Sequence, residues 1–283
     1  MRVREALGLH KTAGDIGVEI EVEGRNLPRE INKYWRVEGD GSLRGEALEY
    51  VFRNPLSFQL AGGALDSIHK ALTSRGVEVF DTGRAGTHVH VNYQENELIH
   101  VINSLVLYFV FEDLLVHFCG KSREGNLFCL RGRDAEAVIA DLEKTDGNFV
   151  QLCNDNYRYS ALNLKALAQY GSLEYRSMRS TIDMGGTLKP WVEMLLRLRE
   201  VCQEYDHPSE IMQQYSELGP KAMLKHVFGD KLAKLLDCPG ANNLIEQGLW
   251  RIQVFAFTFP VDKMEKILGK DRPQLGKARD RWV

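Results

Sequence analysis

Residues 16 to 23, "IGVEIEVE", alternate between aliphatic and polar positions, with Val18, Ile20 and Val22 on one side and Glu19, Glu21 and Glu23 on the other. A period of two is that of a strand with one face in a core. "EGDGSL" (38–43) holds an Asp-Gly pair of the kind that turns hairpins, and "ALEYVFR" (47–53) resumes strand character. "LSFQLAGGALDSIHKALTSRG" switches to helical spacing from Leu60 to Leu72 and ends at Gly76. "VEVF" (77–80) and "GTHVHVNY" (86–93) return to strand. Residues 95–118 predict one long apolar helix, and 134–144 a shorter amphipathic one begun by Asp134 as N-cap. "YSALNLKAL" and "GSLEYRSMRS" predict a further strand pair. From Thr187 onward the spacing is helical, punctuated by Pro208, Pro220 and Pro239, and the chain closes on a basic tail, "GKDRPQLGKARDRWV".

Strands gathered in the first two thirds and joined partly by hairpins predict an α+β fold on an antiparallel sheet rather than a doubly wound one. The expected organisation is a core over residues 1–193 and a helical C-terminal region over 194–283 packed on it. The chain has 283 residues, 44% of them hydrophobic, enough for a sizeable core without staples. A net charge of -3, from 36 basic and 39 acidic residues, leaves no footprint for nucleic acid and no polybasic membrane patch. A small partner is expected. Five scattered cysteines without a C-x-x-C exclude a disulfide framework or zinc ribbon and fit a reducing cytoplasm. The N-terminus is too polar for a signal peptide, and Glu112 and Asp113 interrupt the most apolar stretch, so no membrane segment is expected.

An acidic strand face is by itself most often a solvated one. It also suits hard cations, because Mg²⁺ takes oxygen ligands and bridges carboxylates to phosphate oxygens. On that reading Glu19 and Glu21 converge on metal, with Glu23 a third ligand or simply exposed. "GRAGTHVHVN" projects His88 and His90 from one strand face beside Gly83 and Gly86; this pair suits zinc or iron equally well. Cupin sites use such an H-x-H followed by a glutamate, and Glu95 stands at that distance, but the second cupin segment is missing. "GSLEYRSMRSTID" sets Glu174 and Arg176 on one face with Arg179 and Asp183 nearby: either a surface ion pair, or a metal acid beside a guanidinium that grips a phosphoryl group, assisted by Arg84 or Arg158. Neither a P-loop, a Rossmann fingerprint nor a G-x-S-x-G elbow is present.

Taken in order, "GVEIEVEG", "DGSL" with "EALEYV", "GTHVHVN", "YSALNL" and "GSLEYRSMRSTID" resemble the amidoligase family, over residues 16–193. That family is similar to glutamine synthetase and glutamate-cysteine ligase. The resemblance implies a curved antiparallel sheet with helices on one face. It implies an ATP-dependent carboxylate-amine ligase that uses Mg²⁺, with small-molecule or peptide carboxylates and amines as substrates. Glu19 and Glu21 then match the paired metal acids, Glu49 the acid after the D-G-S-L turn, His88 a metal or phosphate contact, His90 a nucleotide contact, and Glu174 and Arg176 the late pair of metal acid and phosphoryl-contacting arginine. Glu19, Glu21, Glu49, His88 and Glu174 are accordingly expected to hold metal, and His90, Arg176 and the nearby Arg84 the nucleotide, with Arg176 and Glu49 catalytic. Asp40 and Asn163 match structural or substrate-facing positions. Glu23 extends the usual acidic pair, and "EYV" stands where a small or hydroxyl residue often follows the acid. The other readings of the same residues are a cupin-like metalloenzyme on His88 and His90 and a noncatalytic binding protein.

Overall fold

The computed structural model describes residues 1–39, 41–134, 136–148, 151, 160–180 and 183–268. Strand β1 (Ile16–Arg25) is its spine, because it alternates faces over its whole length and is paired along both edges. One edge pairs with β3 (Ala47–Phe52), which continues to β2 (Trp35–Glu38). The other pairs with β5 (Gly86–Asn92) and, at its end, with β4 (Glu78–Phe80). Beyond β5 lie β7 (Ser172–Arg179) and the two-residue β6 (Leu162–Asn163). The result is a curved seven-stranded sheet of order β2-β3-β1-β5-β7-β6, with β4 off the path and every described strand pairing antiparallel. This is the expected α+β architecture.

One sheet face is apolar. Val18, Ile20, Val22, Val89, Val91 and Tyr175 are all fully or almost fully buried in the core. The helices beneath include α2 (Phe58–Leu72), which Ser57 caps through Leu60 N–H, and α3 (Leu98–Cys119). Trp35 clips β2 onto α2 by donating from Nε1 to Ala64 O at 3.1 Å. Around α3 pack α6 (Lys189–Val201), α7 (Pro208–Leu218), α8 (Pro220–Leu236, broken at Gly229) and α9 (Ala241–Thr258). Shorter helices are α1 (Val3–Leu7), α4 (Glu136–Lys144), α5 (Lys165–Tyr170) and α10 (Val261–Leu268). Helix α3 has the length and apolarity of a membrane span, but 89% of its most apolar window is buried inside the fold, which is the arrangement of a core helix.

The structure adds local detail at three of these places. "KAL" does not continue the strand of Leu162 and Asn163 but opens α5, because Asn163 Oδ1 accepts the Lys165 N–H and the run Ala-Leu-Ala-Gln favours helix. Gly171, at φ 70°, then reverses the chain into β7. The β2–β3 connection runs from Gly39 to Glu46, longer than a tight Asp-Gly turn, and Asp40 lies outside the described residues. Asp134, expected as an N-cap, gives its carboxylate to Arg131, whose Nε donates at 2.6 Å. Cys153, Arg158 and the basic tail (269–283) also lie outside the described residues.

Burying Glu112 and Asp113 in α3 demands partners. Gly132 N–H donates to Glu112 at 2.8 Å, while Arg131, Arg133 and Arg251 surround Asp113. Burial, only partly offset by Arg251, pushes the Glu112 carboxyl up to about 8. The folded chain therefore keeps a proton on Glu112 that the unfolded chain loses near pH 4.5, so stability falls as pH rises from about 4.5 to about 8. Glu112→Gln keeps the acceptor and removes the titration. Its stability advantage over the parent should grow between pH 5 and pH 8, on the order of a few kcal/mol at most; urea unfolding at both pH values measures it, and parallel pH profiles would refute it.

Helix α9 crosses α3 at Gly248, where a Cβ would lie 2.2 Å from Val110 O and 2.7 Å from Phe109 O. Gly248→Ala must push the helices apart and should lose at least the ~1–3 kcal/mol typical of overpacking. Gly63→Ala, on the open side of α2 with nothing within 4 Å, should instead gain ~0.5–1 kcal/mol. Thermal unfolding of the two variants checks this opposition.

Candidate functional site

The other sheet face is polar, and its register stacks charge on charge. Glu19 stands opposite His88, Glu21 opposite Glu49, His90 opposite Glu174, and Glu174 opposite Asn163. Glu38 of β2 faces Glu49 in turn. Between the pairs Thr87–Met178 and Val89–Tyr175, one residue of β5, His88, is opposed by two of β7, Arg176 and Ser177. This β-bulge leaves Arg176 on the polar face. A cavity of about 430 Å³ opens over this face, lined by the acids Glu19, Glu21 and Glu49, by His88 and by the cations Arg84, Arg123 and Arg176. Gly39, Gly41, Ser42 and Leu43 of the β2–β3 loop and the ring of Phe128 complete its rim.

Distances within the face are short. His88 Nδ1 lies 3.4 Å from Glu19 Oε2 and 3.6 Å from Glu174 Oε1, and His88 Nε2 lies 3.8 Å from Glu21 Oε1. His90 Nε2 is 3.7 Å from Glu19 Oε1, while its Nδ1 meets Ser172 Oγ at 3.2 Å. Arg176 donates to Glu174 at 2.5 Å and Asn163 Nδ2 donates to the other oxygen at 2.6 Å. Burial alone would raise the Glu19 carboxyl, but hydrogen bonds and charge from His88 and His90 hold it well below the usual carboxylate range. Glu174 behaves alike: burial pushes it up, and His90, Arg176 and His88 bring it below its ordinary value. Burial pulls the His90 imidazole down, and Glu19 and Glu174 lift it above its ordinary value.

Two sets of donor atoms could hold a cation, each with its members within 4.8 Å of one another: Glu19, His90 and Glu174, and Glu19, Glu49 and His88. Glu19 is common to both. Carboxylate oxygens dominate and no thiol contributes, a donor set for hard or borderline divalent ions. His88 and His90 fall in different sets, and Glu95 is remote from both, held at the surface by Arg2, Arg4 and Lys11. The arrangement of a single-metal H-x-H site with a following glutamate is therefore absent among the described residues.

A family profile described as "putative amidoligase enzyme" matches residues 54–198, just over half of the chain. The chain belongs to the amidoligase family. It is thus an enzyme of ligase type. No curated protein matches it. The matched span of this amidoligase contains His88, His90, Asn163, Glu174 and Arg176, whereas Glu19, Glu21 and Glu49 precede it and join the site through the sheet.

The structure brings Glu19, Glu21, Glu49, His88, His90, Glu174 and Arg176 to one face of the amidoligase and includes Arg84 in the cavity lining, its guanidinium 5.3 Å from the Phe128 ring centroid. It leaves others out. Arg179 donates to Cys119 O at 2.7 Å, and Asp183 accepts from Gly186 N–H at 2.9 Å at the turn into α6. Asn163 serves Glu174. Sequence reasoning missed Glu38, Arg123 and Phe128, which lie in connecting segments or at a strand end without periodic signal; the acid at the start of "EGDGSL" was the one visible hint.

Glu23 is neither ligand nor exposed: it is buried and accepts the Arg44 N–H at 2.9 Å, tying down the loop that rims the cavity. Glu23→Ala should leave the fold intact and speed tryptic cleavage after Arg44 severalfold. Limited proteolysis with mass detection reads this directly, and unchanged cleavage would deny the tie.

Proposed function

We propose that this amidoligase is an ATP-dependent carboxylate-amine ligase working through an acyl phosphate. The observation that carries the reading is that Glu19, Glu21 and Glu49 line one cavity together with Arg84 and Arg176, while Glu174 joins Glu19 in a second donor set beside it and bonds Arg176. A carboxylate resists aminolysis because its oxygen is a poor leaving group. In the first step a carboxylate oxygen of the acid substrate attacks the terminal phosphorus of ATP; the bond to ADP breaks and an acyl phosphate forms. In the second an amine attacks the acyl carbon, inorganic phosphate departs with the bonding pair, and the nitrogen gives up a proton as the amide forms.

Glu19, Glu21, Glu49, His88 and Glu174 would hold Mg²⁺, and the oxygen-rich donor set fits it. When bound, Mg²⁺ supplies neutralisation of the phosphoryl oxygens. Arg176, kept in place by its bond to Glu174, grips the transferring phosphoryl group as a planar, permanently charged donor. Arg84 and His90 take nucleotide contacts. Glu49, which lines the cavity beside Glu38, would also receive the amine proton. The substrates are small-molecule or peptide acids and amines.

Thermal unfolding with ATP, with Mg²⁺ and with both tests the reading. Stabilisation should require the pair, reaching about 2.7 kcal/mol at a hundred times the dissociation constant, and should vanish in Glu19→Gln. In a screen of acid and amine pairs for ADP release, Glu174→Gln and Arg176→Ala should each lower the rate by ~10²-fold or more while their circular dichroism stays that of the parent. Stabilisation by zinc or iron with no response to ATP would turn the assignment to a non-nucleotide metalloenzyme.

A further inference from the structure

Arg123 closes the short 3-10 turn after α3, in "CGKSREGN", and is 1% exposed although it lines the cavity. Its Nε donates to Ser177 O at 3.1 Å and its Nη2 to Arg176 O at 2.9 Å, so one guanidinium holds both residues of the bulge. Gly86 leaves it room: a Cβ there would come within 3.1 Å of Nη2. Two features remain unexplained by this structural role. No carboxylate lies within 4.0 Å of Arg123 among the described residues, and its Nη1 has no hydrogen-bond partner among them. Arg176 lines the same cavity, and its buried Nε likewise has none. A guanidinium cannot shed its proton, so a buried one without a counterion calls for an anion.

We infer that Arg123 is a positioning residue for Arg176 and that the two guanidiniums form a seat for a phosphate-class oxyanion in the cavity that Glu19, Glu21 and Glu49 also line. The inference rests on the ligase reading for the anion's source, the phosphoryl oxygens of a nucleotide; the seat itself follows from the two unpaired donors. A planar fork can bridge adjacent carbonyls and keep a nitrogen for an oxyanion, which an ammonium cannot do.

Titration of inorganic phosphate in the presence of Mn²⁺, followed by calorimetry on the full chain, tests it. The parent should bind phosphate; Arg123→Gln should weaken it at least tenfold and Arg123→Lys by a smaller factor. Gly86→Ala, which displaces Nη2 and leaves the charge, should resemble Arg123→Lys and stands in where Arg123→Gln fails to fold. Affinity for Mn²⁺ alone should stay within threefold throughout, which a general loss of structure would not allow. Equal phosphate affinity in parent and variants, absence of phosphate binding in the parent, or matched losses of phosphate and Mn²⁺ would each overturn the seat. Arg123-dependent phosphate binding in a protein that ignores ATP with Mg²⁺ would sink the ligase reading and leave the seat standing.

Discussion

Everything in this molecule hangs on β1 being paired on both edges while its two faces are chemically opposite. Val18, Ile20 and Val22 anchor the strand in the core, and that burial fixes the register, since a slip of one residue would drive Glu19 and Glu21 into the helices. With register fixed, β3 and β5 must bring Glu49 and His88 beside those acids. The polar cluster is assembled by apolar packing on the reverse side of the sheet.

The same fold manages buried charge in two ways. In α3, Glu112 and Asp113 are surrounded by Arg131, Arg251 and a backbone N–H, and Glu112 escapes the remaining cost by holding a proton. On the sheet face Glu19 and Glu174 are held ionised by the imidazoles and Arg176. The first arrangement locks helices and the Arg131–Asp134 segment together. The second keeps charge open to a cavity, the arrangement expected where ligand charge is to be met. Between them runs the chain from Cys119 to Asp134, which carries Arg123 and Phe128 to the cavity at one end and Arg131 to α3 at the other.

The bulge in β7 is the point at which the regular pattern gives way to function. Alternation by itself already sets Arg176 on the face bearing Glu174; what the extra residue changes is where the strand resumes, so that Met178 returns to the core opposite Thr87. The local widening opposite His88 is held by Arg123, which bonds both carbonyls of the bulge.

Much was legible in the chain by itself. Periods of two and 3.6 located the long strands and helices, and the facing of Glu19 with Glu21, His88 with His90, and Glu174 with Arg176 follows from i, i+2 spacing alone. Those signals are local, and local physics sets them. Which pairs meet was decided only in three dimensions: that Glu19 belongs to both donor sets, that the two histidines divide between them, that Glu95 is remote and that Glu23 ties a loop instead of facing the cavity. So were α5, where a side-chain acceptor on Asn163 favoured a helical turn over a continued strand, and Arg123, whose segment has no period to read. Periodicity encodes the face on which a residue stands; long-range register and packing decide what stands opposite, because those depend on contacts that no neighbouring stretch of sequence contains.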